Sequence, residues 1–174
     1  MCGMLIDVRD ILKASGLSKA VELELTASGC GVTEFEKECV FDEPVYVSAE
    51  LANIKGMIRV KGVVKASYSA VCARCLKPVR VEINKAFDDE YAPLGSLGEV
   101  SAEDAEVYEY SDKEVDIGIA VRFAILLEIP IRHLCSAECK SLCPKCGKDL
   151  NEGACGCSEQ DWDTRFAVLQ NLKA

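Results

Sequence analysis

Residues 58–71 read Ile58-Arg59-Val60-Lys61-Gly62-Val63-Val64-Lys65-Ala66-Ser67-Tyr68-Ser69-Ala70-Val71. Ile58, Val60, Gly62, Val64, Ala66, Tyr68 and Ala70 fall on one side of an extended chain. Arg59, Lys61, Val63, Lys65, Ser67, Ser69 and Val71 fall on the other. Period-two alternation of this length places one face in a core and leaves the other mostly wet, as in an antiparallel sheet. The run continues into Cys72-Ala73-Arg74-Cys75-Leu76-Lys77-Pro78, after which Val79, Val81 and Ile83 alternate with Arg80, Glu82 and Asn84. Two alternating runs joined by a short tip predict a hairpin with cysteines at its turn.

Outward from the hairpin, Val45, Val47, Ala49 and Leu51 alternate and end in Asn53-Ile54-Lys55-Gly56, a strand followed by a turn. Val21, Leu23 and Leu25 alternate with Glu22, Glu24 and Thr26, a shorter half-buried strand. Leu5, Val8 and Leu12 fall at helical spacing, with Asp7 to cap the start and Ser15-Gly16 to end it, which predicts an N-terminal helix. Residues 92–114 lack apolar periodicity and read as an acidic loop with a short strand near Val107 to Tyr110. Asp116 is the expected N-cap of a helix running to about Glu128 and stopped by Pro130. That helix is apolar on most sides, so its aromatic and aliphatic residues are expected in the core. A last helix over roughly Asp163 to Lys173 carries Phe166, Leu169 and Leu172 on one stripe. The expected class is α+β: an antiparallel β-sheet packed with a buried helix, plus a C-terminal cysteine-rich zinc-binding segment. Residues 1–134 would hold the sheet, hairpin and acidic loop, and residues 135–174 the cysteine-rich segment and last helix.

The chain has 174 residues, 49% hydrophobic and 28% charged, which suits one domain with a real core and excludes collagen-like, coiled-coil and disordered classes. Its longest apolar run, Ile117 to Leu127, is interrupted by Arg122 and is too short to span a bilayer. The opening Met1-Cys2-Gly3-Met4-Leu5-Ile6-Asp7 lacks the basic-then-apolar order of a secretory signal. A soluble, cytoplasmic protein without a membrane partner is expected.

Eleven cysteines, an odd number, point in a reducing compartment to metal rather than disulfides. A single histidine, His133, leaves sulfur as the main ligand. Cys143-x2-Cys146-x8-Cys155-x-Cys157 is a complete four-sulfur set within 15 residues, and the polar interior Lys148 to Gly153 has little else to fold around. Gly147 permits the left-handed backbone that a CxxC turn often needs after its second cysteine. Cys72 and Cys75 need two more ligands; Cys135 and Cys139 are the natural supply, with His133 or an exchange with the C-terminal set as alternatives. One or two Zn²⁺ ions per chain are expected, in closed sites that leave no position for water. Cys2, Cys30 and Cys39 read as core or surface thiols.

The net charge of −9 hides segregation: residues 59–85 carry seven basic side chains against Glu82 alone, and residues 86–116 eleven acids against Lys113. Arg59, Lys61, Lys65, Arg74 and Lys77 are therefore candidate phosphate contacts. Arg74, Lys77, Lys145 and Lys148 could instead offset the negative charge of the thiolate sites.

Cys72-Ala-Arg-Cys75-Leu-Lys-Pro78 resembles the C-x-R-C-L-x-P signature of the YceD family, the large ribosomal RNA subunit accumulation proteins of bacteria and plastids. Leu127-Glu-Ile-Pro130, Cys135-x3-Cys139-x-Ser-Leu142-Cys143-Pro-x-Cys146-Gly-x-Asp-Leu150-Asn151 and Cys155-x-Cys157 extend the resemblance over roughly residues 45–172. The chain departs at Asp163-Thr164-Arg165, where the family usually reads Asp-Pro-Arg, and at Phe123, near a position where glutamate is common. The resemblance implies a non-enzymatic role in synthesis or accumulation of 23S ribosomal RNA and in large-subunit biogenesis, with ribosomal RNA as partner through the basic hairpin. The alternative is a zinc-stabilised adaptor that meets a ribosome-assembly protein and never touches RNA. No small-molecule substrate is expected, and the CxxC pairs lack the βαβ context of a thiol–disulfide oxidoreductase.

Overall fold

Alternation along residues 58–71 produces a strand whose inward side chains Ile58, Val60, Val64 and Tyr68 are fully buried. The computed structural model describes residues 4–32, 39–41, 44–96 and 107–157. Its strands in chain order are β1 (Leu5–Asp7), β2 (Ser18–Leu25), β3 (Cys39–Phe41), β4 (Val45–Ile54), β5 (Met57–Val71), β6 (Pro78–Pro93), β7 (Val107–Tyr110) and β8 (Glu114–Asp116). One α-helix, α1 (Gly118–Glu128), follows. Among the described residues a six-stranded sheet runs β2-β4-β5-β6-β7, with β3 pairing β5 beyond the end of β4, while β1 and β8 form a separate ribbon. Neighbours are antiparallel except β6 and β7, so the short strand expected near Val107 is present but parallel to its partner. The last helix expected over 163–173, and the part of the acidic loop over 97–106, lie outside the described residues.

Local chemistry sets the turns. Between β4 and β5, Lys55 (φ 56°) and Gly56 (φ 94°) are both left-handed, the two-residue turn whose twist matches a hairpin. Gly62 serves packing. A Cβ there would stand 2.5 Å from Phe87 Cζ and 2.8 Å from the Ser48 carbonyl oxygen. The missing side chain thus admits a β6 aromatic ring over β5.

Two expectations are corrected. The N-terminal segment is no α-helix: Met4, Ile6 and Val8 are buried in period two, Leu5 points out, and Leu5–Asp7 pairs with Glu114–Asp116. Asp7 accepts hydrogen bonds from the Arg9 backbone and guanidinium instead of capping a helix, and only Ile11–Lys13 coils, as a 3₁₀ turn. Competition from the β8 edge overrides the helical spacing. Helix α1 is likewise not buried all round. Ala120, Val121, Ala124 and Ile125 face the sheet, but Phe123 is 52% and Leu127 76% exposed, because among the described residues the helix packs mainly on β5 and β6 by one side. Asp116 lies just outside the helix, where its Oδ1 accepts the Gly118 N–H and ties in the Met4 N–H. Lys85 pairs with Glu128 at 2.6 Å and fastens the far end of α1 to β6. None of the described helices is long and apolar enough to cross a membrane.

Candidate metal centres

The chain carries the same small turn twice. In Cys72-Ala-Arg-Cys75-Leu-Lys77 the Cys72 N–H donates to the Lys77 carbonyl and the Leu76 N–H to the Cys72 carbonyl. In Cys143-Pro-Lys-Cys146-Gly-Lys148 the Cys143 N–H donates to Lys148 and the Gly147 N–H to Cys143. The fifth residue is left-handed in both: Gly147 at φ 73°, as expected, and Leu76 at φ 59° despite its Cβ. Such a turn aims two thiolates at one point and surrounds the first with backbone N–H groups.

Two sulfur quartets result. Cys72, Cys75, Cys135 and Cys139 form the first, Cys143, Cys146, Cys155 and Cys157 the second, and within each the sulfurs lie within 4.8 Å of one another. Every one of the eight expected ligand cysteines is therefore placed, in the expected grouping. The first quartet joins the hairpin tip to residues 135–139, across the division expected at residue 134. His133 stands outside it, its Nε2 2.9 Å from the Tyr68 hydroxyl and 3.9 Å from Cys39 Sγ. Cys30 and Cys39 are core thiols; Cys2 lies outside the described residues.

The donor set fits a tetrahedral ion. Four ligands about 2.3 Å from a metal stand about 3.8 Å apart, and the observed separations include 3.9 Å for Cys72–Cys139 and 3.5 Å for Cys75–Cys135. Electrostatics agree. The N–H groups of Cys75 and Arg74 lower the Cys72 thiol to about 6, and those of Cys146 and Lys145 do the same for Cys143, also to about 6. Cys135 is pushed up to about 12 by Cys75 and Cys139, and Cys157 to about 12 by Cys146 and Cys155. Without a cation each quartet ionises only in part; a divalent ion at its centre removes that conflict. A tetrahedral ion in either quartet would have all four positions filled by sulfur. Elemental analysis of metal-replete protein should give two divalent ions per chain, and a value of one would leave one quartet empty.

The five basic candidates do not gather into one patch. Arg59 makes a two-pronged pair with Asp88, both bonds 2.8 Å, and Lys61 reaches the same carboxylate at 3.4 Å. Lys65 stands between Tyr46 and Asn84 in the sheet. Arg74 turns towards the first quartet, donating to the carbonyl of Cys139 at 2.9 Å and of Ala137 at 3.4 Å. Lys77 grips Asp149 at 2.7 Å and Glu152 at 2.9 Å, and those carboxylates, Asp149 foremost, hold its ammonium above its usual pKa. Sequence reasoning missed these acidic partners. The Asp88 pairing was readable by counting the hairpin register back from the tip, but Asp149 and Glu152 meet Lys77 only through tertiary folding.

Comparison with known proteins follows the same residues. The family model of the large ribosomal RNA subunit accumulation protein YceD matches residues 60–173. The chain is 28% identical over 174 residues to the chloroplastic large ribosomal RNA subunit accumulation protein YCED homolog 1 of Arabidopsis thaliana, covering 85% of this chain and 54% of the relative. It is 27% identical over 146 residues to the Zea mays protein of the same description, covering 68% and 50%. To an uncharacterized protein of Mycobacterium tuberculosis it is 33% identical over 115 residues, covering 66% and 55%. The chain thus spans about half the length of these curated relatives, and no solved structure matches it. With the hairpin cysteines, helix α1 and both quartets inside the matched region, the chain belongs to the YceD family.

Proposed function

We propose that the chain is a non-catalytic, zinc-stapled factor supporting accumulation of 23S ribosomal RNA and, through it, assembly of the large ribosomal subunit. The closed quartets carry this reading. Four thiolates per ion leave no position for water or substrate, so the metal holds the hairpin tip and the C-terminal module as one body. An all-sulfur tetrahedral set in a reducing compartment such as the cytoplasm favours zinc. The family's description supplies the process.

Two contacts could serve it. In one, Arg59, Lys61, Lys65, Arg74 and Lys77 meet ribosomal RNA phosphates. In the other, the protein is an adaptor for a ribosome-assembly protein. The ion pairs favour the adaptor: Asp88 pairs with both Arg59 and Lys61, and Asp149 and Glu152 outweigh the charge of Lys77. The outward sheet face also alternates in sign, with Glu50 and Asp88 on either side of Lys61.

Complementation separates these readings. In cells lacking the protein, the ratio of large- to small-subunit RNA should fall, and a Cys143→Ser/Cys146→Ser chain should not restore it. An unchanged ratio would overturn the family role. A Lys61→Glu/Lys65→Glu chain should restore it like the wild type. Failure of that folded variant to do so, with RNA affinity that drops steeply between low and physiological salt, would establish the phosphate contact instead.

A further inference from the structure

Between the second and third ligands of the second quartet runs Gly147-Lys148-Asp149-Leu150-Asn151-Glu152-Gly153-Ala154. This loop serves more than its own quartet. Asn151 Nδ2 lies 3.5 Å from Cys139 Sγ, a ligand of the first. The orientation of that amide is settled by its other end: Asn151 Oδ1 accepts the Lys140 N–H at 2.8 Å, and a backbone N–H can only donate. The NH₂ group must therefore face the sulfur. Asp149 fixes the loop, with Oδ1 accepting from the Asn151 N–H at 2.8 Å and Oδ2 held by Lys77 from the hairpin arm.

The backbone is stitched across the same gap. Leu142, one residue before the first ligand of the second quartet, donates to the Arg74 carbonyl at 3.2 Å and bridges Asp149. Its side chain packs on Cys72, Cys75 and Cys139. Leu150 donates to Ser141, which takes a left-handed φ of 68° so that the short link from Cys139 to Cys143 can turn back. One quartet is therefore covered and hydrogen-bonded by residues whose positions depend on the other.

We propose that the two metal sites are coupled, with Asn151 as the positioning residue that transmits occupancy of the C-terminal quartet to the hairpin quartet. The inference rests on both quartets holding metal. When the second ion is bound, the loop is fixed, Asn151 donates to Cys139 and Leu142 covers the buried sulfurs of Cys72, Cys75 and Cys139. When that ion leaves, the loop has no apolar core to keep its shape, and the first quartet loses both. An N–H donor to a thiolate lowers the negative charge the metal must balance and orients the sulfur. Linkage makes the effect mutual: emptying the first quartet weakens the second by the same factor.

Cadmium-113 NMR of the full chain tests this, since each quartet gives its own resonance and its loss to a chelator can be timed. A Cys155→Ser/Cys157→Ser chain identifies the first-quartet signal. Asn151→Ala should shift the first-quartet resonance and speed cadmium loss from that quartet about tenfold, although Asn151 lies in the loop of the other. The second resonance should stay in place. Emptying the second quartet should speed first-quartet loss at least as much, and Asn151→Ala added to it should change little further, because the two act through one bond. Lys77→Met, which leaves the backbone N–H at residue 77 on Cys75 and alters only the side chain that holds Asp149 and Glu152, should also speed first-quartet loss by loosening Asp149. An unchanged first-quartet resonance and loss rate in Asn151→Ala would overturn the coupling. Failure of the wild-type chain to show two cadmium resonances would overturn the two-metal reading itself, and the coupling with it.

Discussion

Stripping metal from the intact protein with a chelator should erase amide-exchange protection across residues 135–157 while β4, β5 and β6 keep theirs. Among residues 135–157 only Cys139 and Cys143 are buried, and both are ligands. Leu142 and Leu150 are half-buried, and the remaining contacts are polar or exposed. Such a segment buries too little apolar surface to offset its conformational entropy, at roughly 1–2 kcal/mol per residue. A metal ion in each quartet would do that work; structural zinc contributes roughly 10–16 kcal/mol in small fingers. The sheet has its own core, with Leu51, Ile58, Val60, Val64, Tyr68, Tyr91 and Ile125 essentially inaccessible. Hydrogen exchange read by mass spectrometry gives the outcome. Equal protection of peptides spanning Cys139 to Leu150 with and without chelator would mean that something other than metal folds them.

Truncation of Tyr68 should be the most damaging single change in the sheet. Its side chain is fully buried in β5, with Phe41 at 5.5 Å on one side and His133 edge-to-face at 5.5 Å on the other. Tyr68→Ala should cost about 3–5 kcal/mol, the usual penalty for emptying a large aromatic site. Tyr68→Phe keeps the ring but leaves His133 Nε2 without its 2.9 Å partner, and should cost about 1 kcal/mol. Burial raises the Tyr68 hydroxyl to about 12, so this bond persists through the physiological range. Urea unfolding of the metal-loaded forms measures both. A loss below about 1 kcal/mol for Tyr68→Ala would show that the ring is not a keystone of the core.

How much of this was written in the sequence varies by element. Both faces of β5, the turn within Asn53-Ile54-Lys55-Gly56 and the grouping of the second quartet were legible because each depends on neighbours a few positions away. The first quartet was legible only in outline, since joining Cys72 to Cys135 requires knowing that α1 lies on β6. The N-terminus misled because Leu5, Val8 and Leu12 match helical spacing while Met4, Ile6 and Val8 match a strand, and the partner strand decides between them. The charge blocks misled most. Seven cations in one stretch and eleven acids in the next looked like a basic ribbon beside an acidic loop. But β6 runs on to Pro93, so Asp88 and Glu90 lie across the ladder from Lys61 and Arg59. Segregation along the chain becomes pairing across the sheet.

The two rings that the quartets close also differ in when they can shut. Cys72 and Cys135 are 63 positions apart, against 15 residues for the whole second set. Chain entropy separates the rings by only about 1 kcal/mol, since each doubling of a loop costs about 0.6 kcal/mol. What separates them is the work already done by the fold. The β5–β6 ladder, α1 and the Tyr68–His133 bond bring the hairpin tip close to residue 133 without an ion, so only residues 135–139 would be left to order when the long ring takes up metal. The short ring has no such scaffold, and its shape and its ion must appear in the same event.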